Sequence, residues 1–80
     1  MPNARVFVTL KKSVFDPQGK TIGDALASLG YASVGDVRQG KFFELAFEGV
    51  SREQAQAQAE EIARRVLANP VIEAYRVEVE

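Results

Sequence analysis

The stretch from Val37 to Phe47 constrains this chain most. Over its second half Phe43, Leu45 and Phe47 lie on one side and Phe42, Glu44 and Ala46 on the other, the two-residue period of a half-buried strand. It sits mid-chain with a helical pattern on each side and a further strand pattern beyond each helix, so the other elements are expected to pack around it. Gly40 is its ambiguous point. Either the chain turns at Gln39 and Gly40 to make two short strands, or one long strand bends there through a bulge. Two-residue hairpin turns favour Asn-Gly or Asp-Gly, so Gln-Gly tips the reading toward the bent strand.

Residues Arg5 to Leu10 alternate as cleanly, with Val6, Val8 and Leu10 on one face and Arg5, Phe7 and Thr9 on the other. Asp16 followed by Pro17 reads as a helix N-cap and first helical residue, because the carboxylate accepts from free amides and proline lacks the N–H that would go unpaired. Ile22, Ala25, Leu26 and Leu29 follow at helical spacing, and Gly30 suits the left-handed position after the helix, which predicts a helix over Pro17 to Leu29. Gly19 and Gly23 each weaken it by about 1 kcal/mol relative to alanine. The helix therefore leans on tertiary packing, and Gly23 points to the close approach of another backbone.

Ser51 with Gln54 three residues on forms a capping-box pattern. Ala55, Ala59, Ile62, Ala63, Val66 and Leu67 then keep one apolar stripe opposite Arg52, Glu53, Gln56, Glu60 and Arg64. Asn69 and Pro70 stop this second helix. Val71 to Ala74 lead into a last strand with Tyr75, Val77 and Val79 inward and Arg76, Glu78 and Glu80 outward. The order β-α-β(-β)-α-β predicts an α+β fold, a small antiparallel sheet with two helices on one face, ferredoxin-like in style. If the middle stretch is one long strand, a second chain would supply the neighbour it lacks, and dimerisation would complete the sheet.

A chain of 80 residues makes one small domain, read here as residues 1–80, and buries only about 60–65% of its unfolded surface. Its thin core is held without disulfides or a Cys/His metal cage, because the sequence contains neither cysteine nor histidine. Thiol nucleophiles, Ser-His relays and imidazole acid-base chemistry are excluded with them. An enzyme acting alone is not expected, and no catalytic, cofactor-binding or metal-binding residue is assigned. The net charge of −1 gives no reason for nucleic acid or an anionic membrane. No apolar run approaches the roughly 20 residues of a membrane span. The first residues lead straight into a strand pattern with no signal-peptide core, so the cytoplasm is the expected compartment.

Four constellations merit weighing. Phe7 and Phe42 should share the outer sheet face with Thr9, Glu44, Ala46 and Arg76, and two exposed aromatics on so small a sheet suggest self-association. The plainer alternative is that they tuck under side chains of the same molecule, and ligand or base stacking is a third. Lys11, Lys12, Lys20, Arg38 and Lys41 near strand ends, with aromatics on the sheet, have the outline of a single-stranded RNA reader. The RNP1 core pattern is missing from the central stretch, so a solvated surface is the better reading. The Asp16-Pro17-Gln18-Gly19 turn opens a helix, but Asp16 would compete with a phosphate for the same amides, which favours capping. Glu44 and Glu73 have no proton relay beside them and read as surface or interface charges.

Three blocks carry a resemblance across essentially the whole chain: Leu10-Lys11-Lys12-Ser13-Val14-Phe15-Asp16-Pro17-Gln18-Gly19, Val37-Arg38-Gln39-Gly40-Lys41, and Leu67-Ala68-Asn69-Pro70-Val71-Ile72-Glu73-Ala74-Tyr75. In this order and at this length they resemble PurS, the small subunit of phosphoribosylformylglycinamidine synthase. Phe15 stands where the family usually has leucine, and Ala74 where a polar or acidic residue is common.

The resemblance implies an assembly role in de novo purine biosynthesis. The complex converts formylglycinamide ribonucleotide, glutamine and ATP to the amidine, with ATP and magnesium used by a synthetase subunit and ammonia released by a glutaminase subunit. PurS-like subunits sit between these two as dimers and carry no known catalytic residue, so no cofactor is expected on this chain. Asp16, Pro17, Gly19, Arg38, Gly40, Lys41, Asn69, Pro70, Glu73 and Tyr75 are then fold or interface candidates, joined by Phe7 and Phe42 from the outer face. The partners implied are a second copy, as a dimer or a dimer of dimers, and the two larger subunits, with no nucleic acid and no membrane. An ACT-like ligand-sensing domain would share the topology and is the alternative function, with an RNA-binding module, which would bind oligonucleotide with steep salt dependence, behind it.

Overall fold

The computed structural model describes residues 1–80. Its elements are β1 (Asn3–Leu10), α1 (Pro17–Ser28), β2 (Gly40–Ala46), α2 (Arg52–Ile62) continued by a π-helical turn (Ala63–Leu67), and β3 (Glu73–Val79). The strands form one antiparallel sheet in the order β2-β1-β3. The α+β class therefore stands, with a correction to its centre. The middle stretch forms an edge strand, and β1 is the strand between the other two.

The choice between a hairpin and a bent strand at Gly40 resolves into neither. Val37, Arg38 and Gln39 are irregular, and a single strand begins at Gly40, paired with Thr9. A side chain at Gly40 would run into the Val8 carbonyl and lie 2.7 Å from the Thr9 methyl. Gly40 therefore lets the incoming chain press against the end of β1.

Register sets the core. Ala4, Val6 and Val8 of β1 are fully buried, Val6 lying between Phe43 and Val77, and Ala4 between Leu45 and Val79. Against this face α2 sets its small residues: Ala55, Ala59 and Ala63 are each 0% exposed. Alanines bring the helix axis close to the sheet, which suits a core with so little volume to fill. Ser51 caps α2 in the reciprocal box, accepting from the Gln54 N–H at 3.1 Å while the Gln54 side chain accepts from the Ser51 N–H at 2.9 Å. Past Ile62 the helix widens, with the Ala68 N–H donating to the Ala63 carbonyl five residues back at 2.8 Å. That wider turn shifts the stripe by one residue, so Ala63 and Ala68 face inward while Val66 turns out to 74% exposure.

Helix α1 departs from the expected layer. Its ends are as the sequence predicts: Asp16 caps it, Pro17 opens it, and past Leu29 a left-handed Gly30 (φ 97°) closes it. The Tyr31 N–H donates to the Leu26 carbonyl and the Gly30 N–H to the Ala27 carbonyl, the paired bonds of a Schellman close. Gly19 is its only buried residue, and only α2 lies on the inner sheet face. The chain is accordingly long, 50 × 25 × 14 Å, with a radius of gyration of 15.9 Å, against about 12 Å for a compact domain of this length. Within one chain the two-helix layer is a single helix, and α1 stands off one end of the sheet. No helix is long and apolar enough to cross a membrane.

Candidate functional site

Register brings three strand ends together, because Gly40 opposes Thr9 and Glu73 opposes Leu10. At this end β1 leaves the sheet and β2 and β3 enter it. Asp16, Gly19, Arg38, Gly40, Lys41, Asn69 and Glu73, drawn from all three sequence blocks, converge on it.

Asp16 is the most enclosed of the charged groups, 7% exposed. Its Oδ1 accepts the Gly19 N–H at 2.9 Å, the N-cap bond, and its Oδ2 accepts the Gln39 N–H at 2.8 Å from the residue just before β2. The Gln39 amide first, the Gly19 amide next and the Arg38 charge after them hold the Asp16 carboxyl below its ordinary value, against a smaller opposing effect of burial. Arg38 forks onto the other side of the same joint. Its Nη1 donates to the Val14 carbonyl at 2.8 Å and its Nη2 to the Lys12 carbonyl at 2.9 Å, with Asp36 Oδ2 3.7 Å from Nε.

Glu73 closes the third strand end. Its Oε1 accepts the Asn69 N–H at 2.7 Å and its Oε2 lies 3.4 Å from Lys41 Nζ, tying the exit of α2 to β2. Asn69 makes the turn itself. Its Oδ1 accepts the Val71 N–H at 3.1 Å and its carbonyl the Glu73 N–H at 2.7 Å, while Pro70 beside it is exposed. Asp16, Arg38, Lys41 and Glu73 thus each make at least one bond inside the chain.

Phe7, Phe42 and Tyr75 stand apart from this joint. On the outer sheet face the Phe7 and Phe42 rings lie 5.1 Å apart, tilted by 33°, and the Arg76 guanidinium sits 4.5 Å from the centre of the Phe7 ring. Phe7 is thereby half covered, while Phe42 remains 51% exposed. Arg5 alongside pairs with Glu80 at 3.3 Å and more loosely with Glu78 at 3.9 Å. Tyr75 lies on the inner face opposite Val8 and is 37% exposed.

The partners of Asp16 and Arg38 escaped the sequence reading because most are backbone groups of Lys12, Val14 and Gln39, which have no side-chain signature. One signal was present. Gly19 and Gly23 mark one face of α1, and Val37 lies against it: a Cβ on Gly19 would strike the Val37 carbonyl oxygen, while one on Gly23 would sit 3.7 Å from a Val37 methyl. The close backbone approach expected at Gly23 occurs one turn earlier.

Comparison with known proteins agrees with this architecture. The family model "PurS: Phosphoribosylformylglycinamidine (FGAM) synthase" matches residues 3–80. The PurS subunit of Bacillus subtilis is 46% identical over 80 residues, covering 100% of this chain and 94% of that protein. That of Methanocaldococcus jannaschii is 40% identical, covering 100% and 96%. A chain in the structure of PurLQS from Thermotoga maritima superposes with a TM-score of 0.86 at 28% identity, covering 100% of this chain and 99% of that one. With the family model matching all but the first two residues and both relatives aligned over the whole chain, this chain belongs to the PurS family of phosphoribosylformylglycinamidine synthase.

Proposed function

We propose that this chain is a non-catalytic assembly subunit of phosphoribosylformylglycinamidine synthase in de novo purine biosynthesis, part of an ATP-dependent glutamine amidotransferase ligase working in the cytoplasm. It bridges the glutaminase and synthetase subunits so that ammonia released from glutamine reaches the second site. ATP and magnesium belong to the synthetase partner. The observation that carries this reading is the match of residues 3–80 to a family whose fold is seen in a solved PurLQS assembly. Its chemistry fits: the charged groups at the strand-end joint are engaged in internal bonds, which leaves a scaffold. A second copy is the first partner we assign. Within one chain β2 and β3 each have a free edge, the outer face shows Phe42, and α1 covers no sheet.

Transfer of ammonia between two sites is a problem of positioning and of exclusion of water, so a subunit with no reactive group can govern it. In a reconstitution with ATP and formylglycinamide ribonucleotide, leaving this chain out is expected to abolish most glutamine-dependent turnover. The synthetase supplied with high ammonium should keep substantial activity. Equal glutamine-dependent rates with and without the chain would refute the assembly role, and turnover by the chain alone would refute its non-catalytic character.

A further inference from the structure

We propose that the arm formed by α1 and residues 34–38 lies on the sheet of a second copy. Its apolar stripe covers the inner face over β2, and its extended segment runs along the free edge of that strand. This rests on the reading of a second copy as first partner and deepens it, by stating what each copy gives the other.

Each chain has one helix without a sheet and one stretch of sheet without a helix. On α1, Ile22 is 41% and Leu29 74% exposed, with half-buried Leu26 between them on the same stripe. On the sheet, α2 packs over β1 and β3. Phe43 and Leu45 of β2 are therefore only half-buried, while Val6 and Ala4 opposite them on β1 are fully buried. The other edge of β2 pairs with nothing in the chain. The segment after α1 has the matching deficit in its backbone. Residues 34–39 belong to no helix or strand, and the N–H groups of Gly35, Asp36, Val37 and Arg38 donate to no other backbone group of the chain. An open strand edge and an extended segment with unspent donors are complementary.

The arm does not meet these deficits within its own chain. Asp16 binds the Gly19 and Gln39 N–H groups, and Arg38 spans the Lys12 and Val14 carbonyls, so the base of α1 is tied off the end of its own sheet. Val37 stays against the helix, its carbonyl filling the space that Gly19 leaves and its methyl 3.7 Å from where a Gly23 side chain would begin. Helix and segment thus project as one piece.

The exposed area shows how much cover is missing. The chain presents 5704 Å² of accessible surface, whereas a compact protein of 8.8 kDa presents about 4,800 Å². The excess of about 900 Å² is close to the roughly 800 Å² that each partner buries in a stable interface of standard size. Reciprocal exchange of arms is isologous, so two copies satisfy each other and the assembly closes. Each sheet then gains a neighbour at β2 and the second helix that one chain lacks.

The sequence contains no cysteine, so one introduced thiol carries a unique label. Ser28 is exposed on α1 and lies off the apolar stripe. Unlabelled Ser28→Cys chain bearing a nitroxide is mixed and exchanged with isotope-labelled wild-type chain, so any broadened amide belongs to the other copy. Broadening should be strongest at Phe43 to Ala46. Ile22→Glu and Leu29→Glu should each weaken self-association at least about tenfold in light scattering, with the Val6 and Val8 amides still protected. The label leaves the stripe intact, so its result stands whether or not the charge variants fold. Broadening centred on other elements, or none in a sample of dimeric mass, would overturn the proposal, and so would a monomeric wild type. Wild-type mass in both folded charge variants would overturn it too, and if binding of the larger subunits were lost in them, the stripe would belong to those subunits. The assembly reading fails by a separate observation, equal glutamine-dependent turnover with and without the chain.

Discussion

The Gln39 N–H donates to the second carboxylate oxygen of Asp16 at 2.8 Å, across 23 residues of sequence, while the first oxygen caps α1. Both bonds favour the ionised acid, so the folded pKa lies below the ordinary value of 3.8. A depressed folded pKa means a stabilising contribution that is complete above the unfolded value and is lost as pH falls through the folded one. Asp16→Asn keeps an oxygen for Gly19 but offers Gln39 no acceptor at the second position. The wild type should therefore be more stable than Asp16→Asn at pH 7 and at pH 5, with the gap closing only below about 3.8. Urea midpoints of the two proteins across this range check it; taking their difference cancels the other carboxylates. A gap that persists unchanged to pH 2 would mean the bond to Gln39 does not depend on charge.

The core is small enough for single methyl groups to matter. Val6→Ala removes two methyls from a site with 0% exposure between Phe43 and Val77. It should cost about 2–3 kcal/mol, the transfer of those groups plus the cavity left behind. Ala59→Leu tests the opposite error. Ala59 is 0% exposed where α2 faces the sheet, so added volume should cost about 1–3 kcal/mol. The same change at exposed Ala57 should stay within about 0.5 kcal/mol. Denaturant titration distinguishes the three, and equal costs at Ala57 and Ala59 would place α2 differently on the sheet.

Chain turns offer a finer comparison. Asn69→Ala deletes the side-chain acceptor of the Val71 N–H but leaves the Asn69 N–H bonded to Glu73, so it should cost about 1 kcal/mol. Pro70→Ala removes no hydrogen bond from an exposed residue. It should cost about 0.4–1 kcal/mol, mainly through a freer unfolded chain. Ser51→Ala at the capping box should cost about 1 kcal/mol. Thermal or urea unfolding of the three variants checks the order, and an Asn69→Ala variant as stable as wild type would give this turn a purpose other than shaping the chain.

These comparisons show where the sequence was legible. Val6, Val8, Phe43, Leu45, Val77 and Val79 fall on the inner face as their alternation predicts, because a strand with one buried face has a single workable register. The caps at Asp16 and Ser51 were readable for the same local reason: each bond spans three residues. The order of strands was not readable. Alternation marks a half-buried strand equally well at an edge or at the centre, so β2 looked central although β1 holds that place. Nor could the position of α1 be read. Ile22, Leu26 and Leu29 have the spacing of a packed helix, yet within one chain no sheet face lies beneath them, since an apolar stripe records that burial is needed and not which molecule provides it. At the strand-end joint the sequence named Asp16 and Arg38 but not their partners, which are main-chain groups of residues 12, 14 and 39.

The outer sheet face carries the last prediction. Phe7 is packed on one side by Phe42 at 5.1 Å and covered by Arg76 at 4.5 Å, so its exposure is already reduced within the chain. Phe42 has no such cover and is 51% exposed on a strand whose far edge is free. An aromatic ring left half in water on a sheet of three strands is a natural anchor for a second copy, because aromatic residues dominate the energetics of interface cores. Phe42→Glu replaces that ring with a charge beside Glu44. Removal of an anchor from the centre of an interface typically costs at least about 2 kcal/mol, which weakens association roughly 30-fold. Light scattering over a dilution series should therefore show the variant falling to a lower mass at a concentration where the wild type holds its own. Its fold should survive, since the substituted side chain points away from Val6 and Val8. An unchanged mass in a normally folded variant would remove Phe42 from the contact between copies.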